Sequence, residues 1–408
     1  MFGGTYIVAA PDATWLSRQQ AHFQAGDVQG ALDALPTRGG SIALTEGHFA
    51  RPFMVCKDSV AIRGQGEATV LRPNDAANLD RFIAVENVWG LTLENMAIDG
   101  NGSRQAAGLG YGIEHVRIGS HLRAARWRLA HMYIYNTWGS ALQLDEVDGL
   151  TLEDVRVDLS AMQGPMPSIR AAGCYNLRVQ GCMITANPTG VPLIVGGSIM
   201  VNILDNHLDA VGQTGIDVGG CIDVLVKGNI GRNMENGIWL EDTLGAIICN
   251  NNLRAGSGSA IRVLWTRVPP PDAYALINGN HISGFNRGAT ISGGRGSFRD
   301  NVLYGCGPSR AALLLGAAQG VYADGWAVGH NEFYDSPQRA IEIQSCRDIR
   351  INHNRFSGTG QGSSGIDEWD AEGRGIPLDN VIEHNRFSRI GGQPWLVGPA
   401  TVVRDNIT

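Results

Sequence analysis

The sequence predicts an all-β solenoid formed by one chain, about 12–13 stacked rungs behind a short N-terminal capping helix. Three observations lead there. First, Thr214–Leu253 states one phrase twice: Gly-Ile-x-hydrophobic, a turn, alternating apolar residues, then Asn, beginning at Gly215 and again at Gly237. A period of slightly over about twenty residues is that of stacked units. Second, the chain registers on the residue ending the last strand of each rung: Asn95, His131, Asp154, Cys182, Asn206, Asn229, Asn252, Asn280, Asn301, Asn331, Asn354, Asn385 and Asn406. All but His131 and Cys182 are Asn or Asp. An amide at a tight corner can satisfy its own backbone and that of the next rung, so the column reads as a ladder. Third, 55 glycines, 17% charged residues and 43% apolar residues in short alternating runs favour strands and tight turns over helices.

Length does not argue for several compact domains, because a solenoid grows by adding rungs and needs no larger spherical core. The expected division is a cap with the first strands, 1–60, and one continuous solenoid, 61–408. A net charge of −7 argues against a general attraction to nucleic acid. No apolar run is long enough to cross a bilayer, and Met1–Ala10 lacks the pattern of a signal peptide. An extracellular location is nevertheless expected if a signal has been removed; a cytoplasmic one stays open. Seven cysteines cannot all pair within the chain. Cys174, Cys221 and Cys346 share one turn position and Cys249 falls on an inward apolar position, so all four read as structural.

In chain order, Asp27 caps a helix in DVQGALDALP, which Pro36 and the Gly39-Gly40 pair close. Its apolar side is expected to cover the first rung. SIALTEGHFA, SVAIRGQGEATVL and GLTLENMAIDG follow as short strands separated by glycines. The run DVQGALDALPTRGGSIALTEGHF with SVAIRGQGEATVL resembles the opening segment of right-handed parallel β-helix proteins of the pectate-lyase-like superfamily. That resemblance implies a right-handed coil and a glycan-acting protein. The motifs of particular members are missing: the Asn-Thr-Asp, Asp-Asp, Gly-His-Gly and Arg-x-Lys set of polygalacturonases, the Trp-Ile-Asp-His and Arg-x-Pro-x-x-Arg of pectate lyases, and the Tyr-Asp-Pro-His of mannuronan epimerases. ENGIWLED is weakly similar in layout to the acidic region of inulin fructotransferases.

Four rungs carry long insertions at one corner: Glu114–Trp127, Trp265–Tyr274, Gly316–Trp326 and Asp367–Asp379. Between the first two lie rungs with short turns, beginning near Ser140, Ser168, Pro192, Gly215 and Gly237. At about 4.8 Å per rung they make a floor roughly 24 Å long, room for several sugars. Because strand side chains alternate, the residue between the apolar pair of each strand points out. That column reads Glu114, Gln143, Arg170, Ile194, Asp217, Trp239, Arg262, Thr290, Leu314, Glu342, Asp367 and Leu396, with Asp145 and Glu241 one outward step further on.

Asp217 and Glu241, with Cα atoms about 8 Å apart from strand rise and rung spacing, are the candidate acid and base or nucleophile of a glycosidase or transglycosidase. Trp239 would stack on a sugar. Arg170, Arg262, Gln143, Asp145 and Trp265 would complete the binding surface, and Glu342 and Asp367 are secondary candidates. The plainer reading makes Asp217 and Arg262 solvated rung-face charges. Around Glu342 and Asp367 lie Glu368, Trp369, Asp370 and Glu372, a group that suits either a solvated loop or calcium. His330, His353 and His384 stack on one face and read as structural rather than as a metal site. No cofactor is expected, calcium being the one possible exception.

Two further classes stay open: a polysaccharide lyase or epimerase using Arg170, Arg262 and His115, and a non-catalytic glycan-binding or tailspike-like protein. The chain ends at VVRDNIT on a rung corner with nothing over the last coil. A homo-oligomer, with a trimer among the options, a shortened chain or a following domain is therefore expected.

Overall fold

The computed structural model describes residues 5–77, 79–104, 111–116, 124–160, 166–186, 189–210, 213–318, 320–370 and 377–408. Parts of the expected Glu114–Trp127, Gly316–Trp326 and Asp367–Asp379 insertions, and Glu372 with them, lie outside the described residues. The chain divides into two compact units, Met1–Leu208 and Asp209–Thr408. Both are built of parallel coils in which the strands of each face pair with their equivalents one coil on, the short Val321–Tyr322 strand alone among the described residues pairing antiparallel. No helix is long and apolar enough to cross a membrane among the described residues.

The first unit opens with the strand Thr5–Val8, which pairs in parallel with Gly40–Leu44. The helix Val28–Ala34 forms as expected: the Asp27 carboxylate accepts from the Gly30 N–H, and Val28, Ala31 and Leu32 are its buried side. A second helix, Trp15–Gln20, capped by Thr14, buries none of its residues, so it left no periodic signal to read. Three faces then recur. The first contains Arg81–Glu86, Tyr111–Val116, Leu142–Asp145, Ile169–Ala172 and Leu193–Gly196, paired in that order. The second contains Trp89–Asp99, Ala125–Tyr135, Asp148–Glu153, Tyr175–Gln180 and Ile199–Leu204. Inward residues such as Leu91, Trp127 and Leu150 are register-matched and buried.

In the second unit the first face holds Ile216–Gly219, Ile238–Glu241, the ends of Asn252–Leu264 and His281–Ser292, then Leu313–Ala318, Ile341–Gln344, Ile366–Trp369 and Trp395–Leu396. Its core repeats from coil to coil. Phe333, Phe356 and Phe387 stack with centroids 5.0 and 4.7 Å apart, a spacing set by the coil repeat itself.

The ladder is real but shorter and one residue displaced at one rung. It runs Asn229, Asn251, Asn280, Asn301, Asn331, Asn354, Asn385 and Asn406. Each side-chain oxygen accepts from the backbone N–H of the preceding member, from Asn229 to Asn251 at 2.9 Å through Asn385 to Asn406 at 2.8 Å. Asn251 is the buried member, whereas Asn252 begins the next strand and pairs with Ile230 and His281. In the first unit Asn95, His131 and Asp154 occupy the left-handed corner one residue before the column. The column itself is apolar there: Met96, Met132, Val155 and Cys182 are buried, and only Asn206 resumes the pattern by accepting from the Cys182 N–H at 2.9 Å. Asn and Asp serve both a corner that needs positive φ and a ladder that needs an amide, so composition alone does not separate the two positions.

None of the cysteines forms a disulfide. Cys174, Cys221 and Cys346 are buried in their turns, as the repeat implies. Cys249 faces outward instead, opposite Lys227 and Asn278, because Ile248 is the inward residue of its strand. Burial pushes the Cys182 thiol up to about 12, which makes it inert.

Candidate active site

The first face of the second unit brings Asp217, Trp239 and Arg262 into one outward column. Asp217 is register-matched to Trp239, and Trp239 to Arg262. The column faces out because its flanks are committed inward: Ile216, Val218, Ile238, Leu240 and Ile261 are buried. One step along, Glu241 lies opposite Gly219. These four outward positions form a grid, with Asp217 and Glu241 on one diagonal and Trp239 and Gly219 on the other. A Cβ built on Gly219 would meet nothing within 4 Å, so the corner between the two carboxylates is open.

Neither carboxylate makes an ion pair or side-chain hydrogen bond among the described residues. Burial, and then the charge of Glu241, push the Asp217 carboxyl above its usual range. Trp239 is half-buried and its indole N–H is buried without a hydrogen-bond partner. The Arg262 guanidinium carbon lies 4.1 Å from the indole centroid, so one aromatic face that the sequence offered to a sugar is covered by the arginine.

Trp265 does not belong to this surface. It is 4% exposed and packs with Ala273 and Val321, Leu244 lying against them. Lacking a strand of its own, the Trp265–Tyr274 insertion needs an apolar anchor, and Trp265 supplies it. Thr266 fastens the same segment, its N–H and hydroxyl donating to the Asp242 carboxylate at 2.9 and 2.5 Å. A cavity of about 370 Å³ lies between this insertion and the Gly316–Trp326 one, lined by Val268, Pro270, Arg295, Val321 and Tyr322 among others.

In the first unit Glu114, Gln143 and Arg170 are register neighbours as the column requires. Arg170 is held by Asp145 at 2.5 Å, and Arg81 lies 2.7 Å from Glu114. Burial pushes the Glu114 carboxyl up against the pull of Arg81. Tyr111, pushed up by burial and by Glu114, joins the same group. Arg81 and Tyr111 are not singled out by the sequence, although Tyr111 lies on the strand of Glu114 and Arg81 on the strand paired with it. His115 is buried, edge-on to Trp127 at 5.0 Å with Nδ1 against the Asp145 carbonyl, a packed rather than a presented histidine.

The secondary candidates are committed within the protein. Glu342 is 7% exposed and one of its oxygens accepts from Trp369 Nε1 at 2.9 Å and from Gln344 Nε2 at 2.5 Å. Asp367 is bound by Arg339 at 2.9 Å. Glu368 accepts from Asn380, the Gly398 N–H and Thr401, leaving it no free oxygen for a cation. His330, His353 and His384 stack face over face, with centroids 5.0 and 5.2 Å apart and ring planes 12° and 34° from parallel. Among the described residues no group of three His, Cys, Asp or Glu is placed to hold a metal.

Solved structures share this coil. A surface adhesin of Streptococcus pneumoniae, PfbA, superposes with a TM-score of 0.53 over 88% of this chain and 90% of its own, at 13% identity. A polygalacturonase from Erwinia carotovora does so with a TM-score of 0.52 over 99% and 97%, at 12% identity. Each unit has the right-handed parallel β-helix fold. At these identities the likeness carries the fold alone. No protein-family model and no curated protein matches the sequence.

Proposed function

We propose that this β-helix is a glycan-acting enzyme, a glycoside hydrolase or transglycosidase working at Asp217 and Glu241. The observation that carries the reading is the diagonal itself: two unpaired carboxylates on adjacent coils, either side of an open corner, one of them held toward its protonated form. That asymmetry assigns the roles. Asp217, whose neutral form is favoured, is the acid that protonates the glycosidic oxygen, and Glu241 is the base for water or the nucleophile at the anomeric carbon. Cα atoms about 8 Å apart on a diagonal of neighbouring strands allow the two carboxyl groups to sit at either separation that glycosidases use.

Trp239 and Arg262 supply binding in this reading. A sugar entering the open corner displaces the guanidinium from the indole, takes the ring face by stacking and offers an acceptor to the buried indole N–H. An unpartnered buried donor costs about 1–3 kcal/mol, and a ligand hydroxyl would recover it.

The test is a panel of neutral and uronate-bearing poly- and oligosaccharides incubated with the full chain. New reducing ends without unsaturated-uronate absorbance near ~235 nm support hydrolysis, since elimination alone creates that chromophore. Absorbance there would make the enzyme a lyase instead. Full activity retained in both Asp217→Asn and Glu241→Gln would remove the site.

A further inference from the structure

Two to five coils beyond Trp239 on the same face lies a polar cavity of about 340 Å³, lined by Arg287, Arg310, Arg339, Glu342, Gln344 and Trp369 among others. Its three arginines sit just ahead of the outward strands in three successive coils: Arg287 before Thr290, Arg310 before Leu314 and Arg339 before Glu342. Stacked one coil apart, three guanidinium groups repel one another, and each needs a counter-charge. Among the described residues only Arg339 has one in an ion pair, at 2.9 Å from Asp367 and 3.6 Å from Glu342. Arg287 and Arg310 make no ion pair among the described residues, and Arg287 Nε is buried without a hydrogen-bond partner. Burial, then the neighbouring charge of Arg310, lower the Arg287 pKa, and the charge of Glu342 only partly offsets them. In a protein of net charge −7 this is a local concentration of positive charge.

We propose that this cavity binds an oxyanion substituent of a glycan, a sugar carboxylate or sulfate ester, through the guanidinium groups of Arg287 and Arg310. Their planar forks match a carboxylate or sulfate edge. Trp369 is fixed beside them by its hydrogen bond to Glu342, so its indole offers a wall against which a pyranose can lie. Glu342 and Asp367 hold Arg339 in place as the floor of the pocket. Arg287 and Arg310 lie three and four coil steps from Asp217, roughly 14–19 Å at the coil repeat, so the pocket grips the polymer a few sugars away from the proposed bond cleavage. The inference rests on the glycan reading above for the identity of the carrier, but not on catalysis.

The test uses the Asp217→Asn variant of the 408-residue chain, which cannot turn over the ligand in the proposed mechanism. Inorganic sulfate is titrated first, followed by tryptophan fluorescence, with Trp369→Phe locating the signal. A tetrasaccharide of alternating N-acetylglucosamine and glucuronate, its carboxyl-reduced form and a sulfated neutral tetrasaccharide are then compared by calorimetry. Expected are a sulfate response lost in Trp369→Phe, and acidic glycans binding about tenfold tighter than the reduced form. That advantage should fall about tenfold in Arg287→Gln and Arg310→Gln, and partly return in Arg287→Lys. Preference for one acidic arm identifies carboxylate or sulfate as the group recognised. No sulfate response, equal binding of acidic and reduced glycans, or a preference untouched by both arginine variants would overturn the inference. If sulfate and acidic glycans bind as expected while the wild-type protein cleaves no glycan, catalysis fails and the pocket stands.

Discussion

Arg262 lies over the Trp239 indole, its guanidinium carbon 4.1 Å from the ring centroid, and the two residues are register neighbours on adjacent coils. A stacked pair of this kind is worth about 0.5–2 kcal/mol, depending on how dry it is. The arginine thus covers one aromatic face of the indole, and each partner has a separable effect.

Trp239→Ala should raise KM about tenfold with a smaller change in kcat, from the loss of a stacking surface worth about 1 kcal/mol or more. Arg262→Ala should uncover the indole and shift its fluorescence, since only a half-buried ring loses its cover. Steady-state kinetics and emission spectra on the two variants check both. Unchanged KM in Trp239→Ala would mean that the indole belongs to the scaffold alone.

The raised Asp217 carboxyl sets a pH dependence whose sign is fixed. A carboxyl held above its unfolded value stabilises the fold fully below that value, near 3.8, and the contribution is lost as pH rises through the folded value. Asp217→Asn should therefore raise the melting temperature at neutral pH and leave it unchanged near pH ~3. Activity that needs the protonated form should fall on the alkaline side. Because the charge of Glu241 is the second cause of the shift, Glu241→Gln should move the Asp217 titration to lower pH, read by carboxyl carbon NMR.

The ladder makes a stability prediction in the second unit. Asn301 is fully buried: its side-chain oxygen accepts from the Asn280 N–H and Nδ2 at 3.0 and 2.9 Å, and its own amide donates to Ile277 O and to Asn331 Oδ1, each at 3.0 Å. Asn301→Ala orphans donors and acceptors on both neighbouring coils. With about 1–3 kcal/mol for each unsatisfied buried group, a loss of roughly 3 kcal/mol or more is expected. Denaturant unfolding measures it, and a loss under about 1 kcal/mol would show that the ladder contributes little.

What the sequence disclosed follows from which residues have one job and which have two. Gly-Ile-x-hydrophobic strands have one inward pattern, so the column from Asp217 to Leu396 could be registered residue by residue. Asn has two uses, the positive-φ corner and the ladder, and the Asn250-Asn251-Asn252 run hides which is which; the ladder position was misplaced by one there, and in the first unit the corner residues stood in for an apolar column. Insertions have no register at all. Trp265 is therefore legible as an aromatic but not as a buried anchor, and the Arg287, Arg310 and Arg339 corner escapes notice because its residues precede the strands at offsets that differ by one. Glu342 shows the remaining gap: alternation places it outward, yet Trp369 and Gln344 from neighbouring positions close over it.

Gly219 offers the most direct probe of the open corner between Asp217 and Glu241. Its backbone φ lies outside the left-handed region, so an L-residue fits there without strain, and a Cβ would meet nothing within 4 Å. Gly219→Ala should therefore fold at least as well, gaining up to about 1 kcal/mol from reduced freedom of the unfolded chain. Gly219→Leu should fold as well, because the added atoms point into open space. Activity should respond the other way. If a sugar occupies the corner between the two carboxylates, the methyl group raises KM and the isobutyl group abolishes turnover while the melting temperature holds. A Gly219→Leu enzyme that cleaves its glycan at the wild-type rate would show that the bond is broken elsewhere, even with both carboxylates intact.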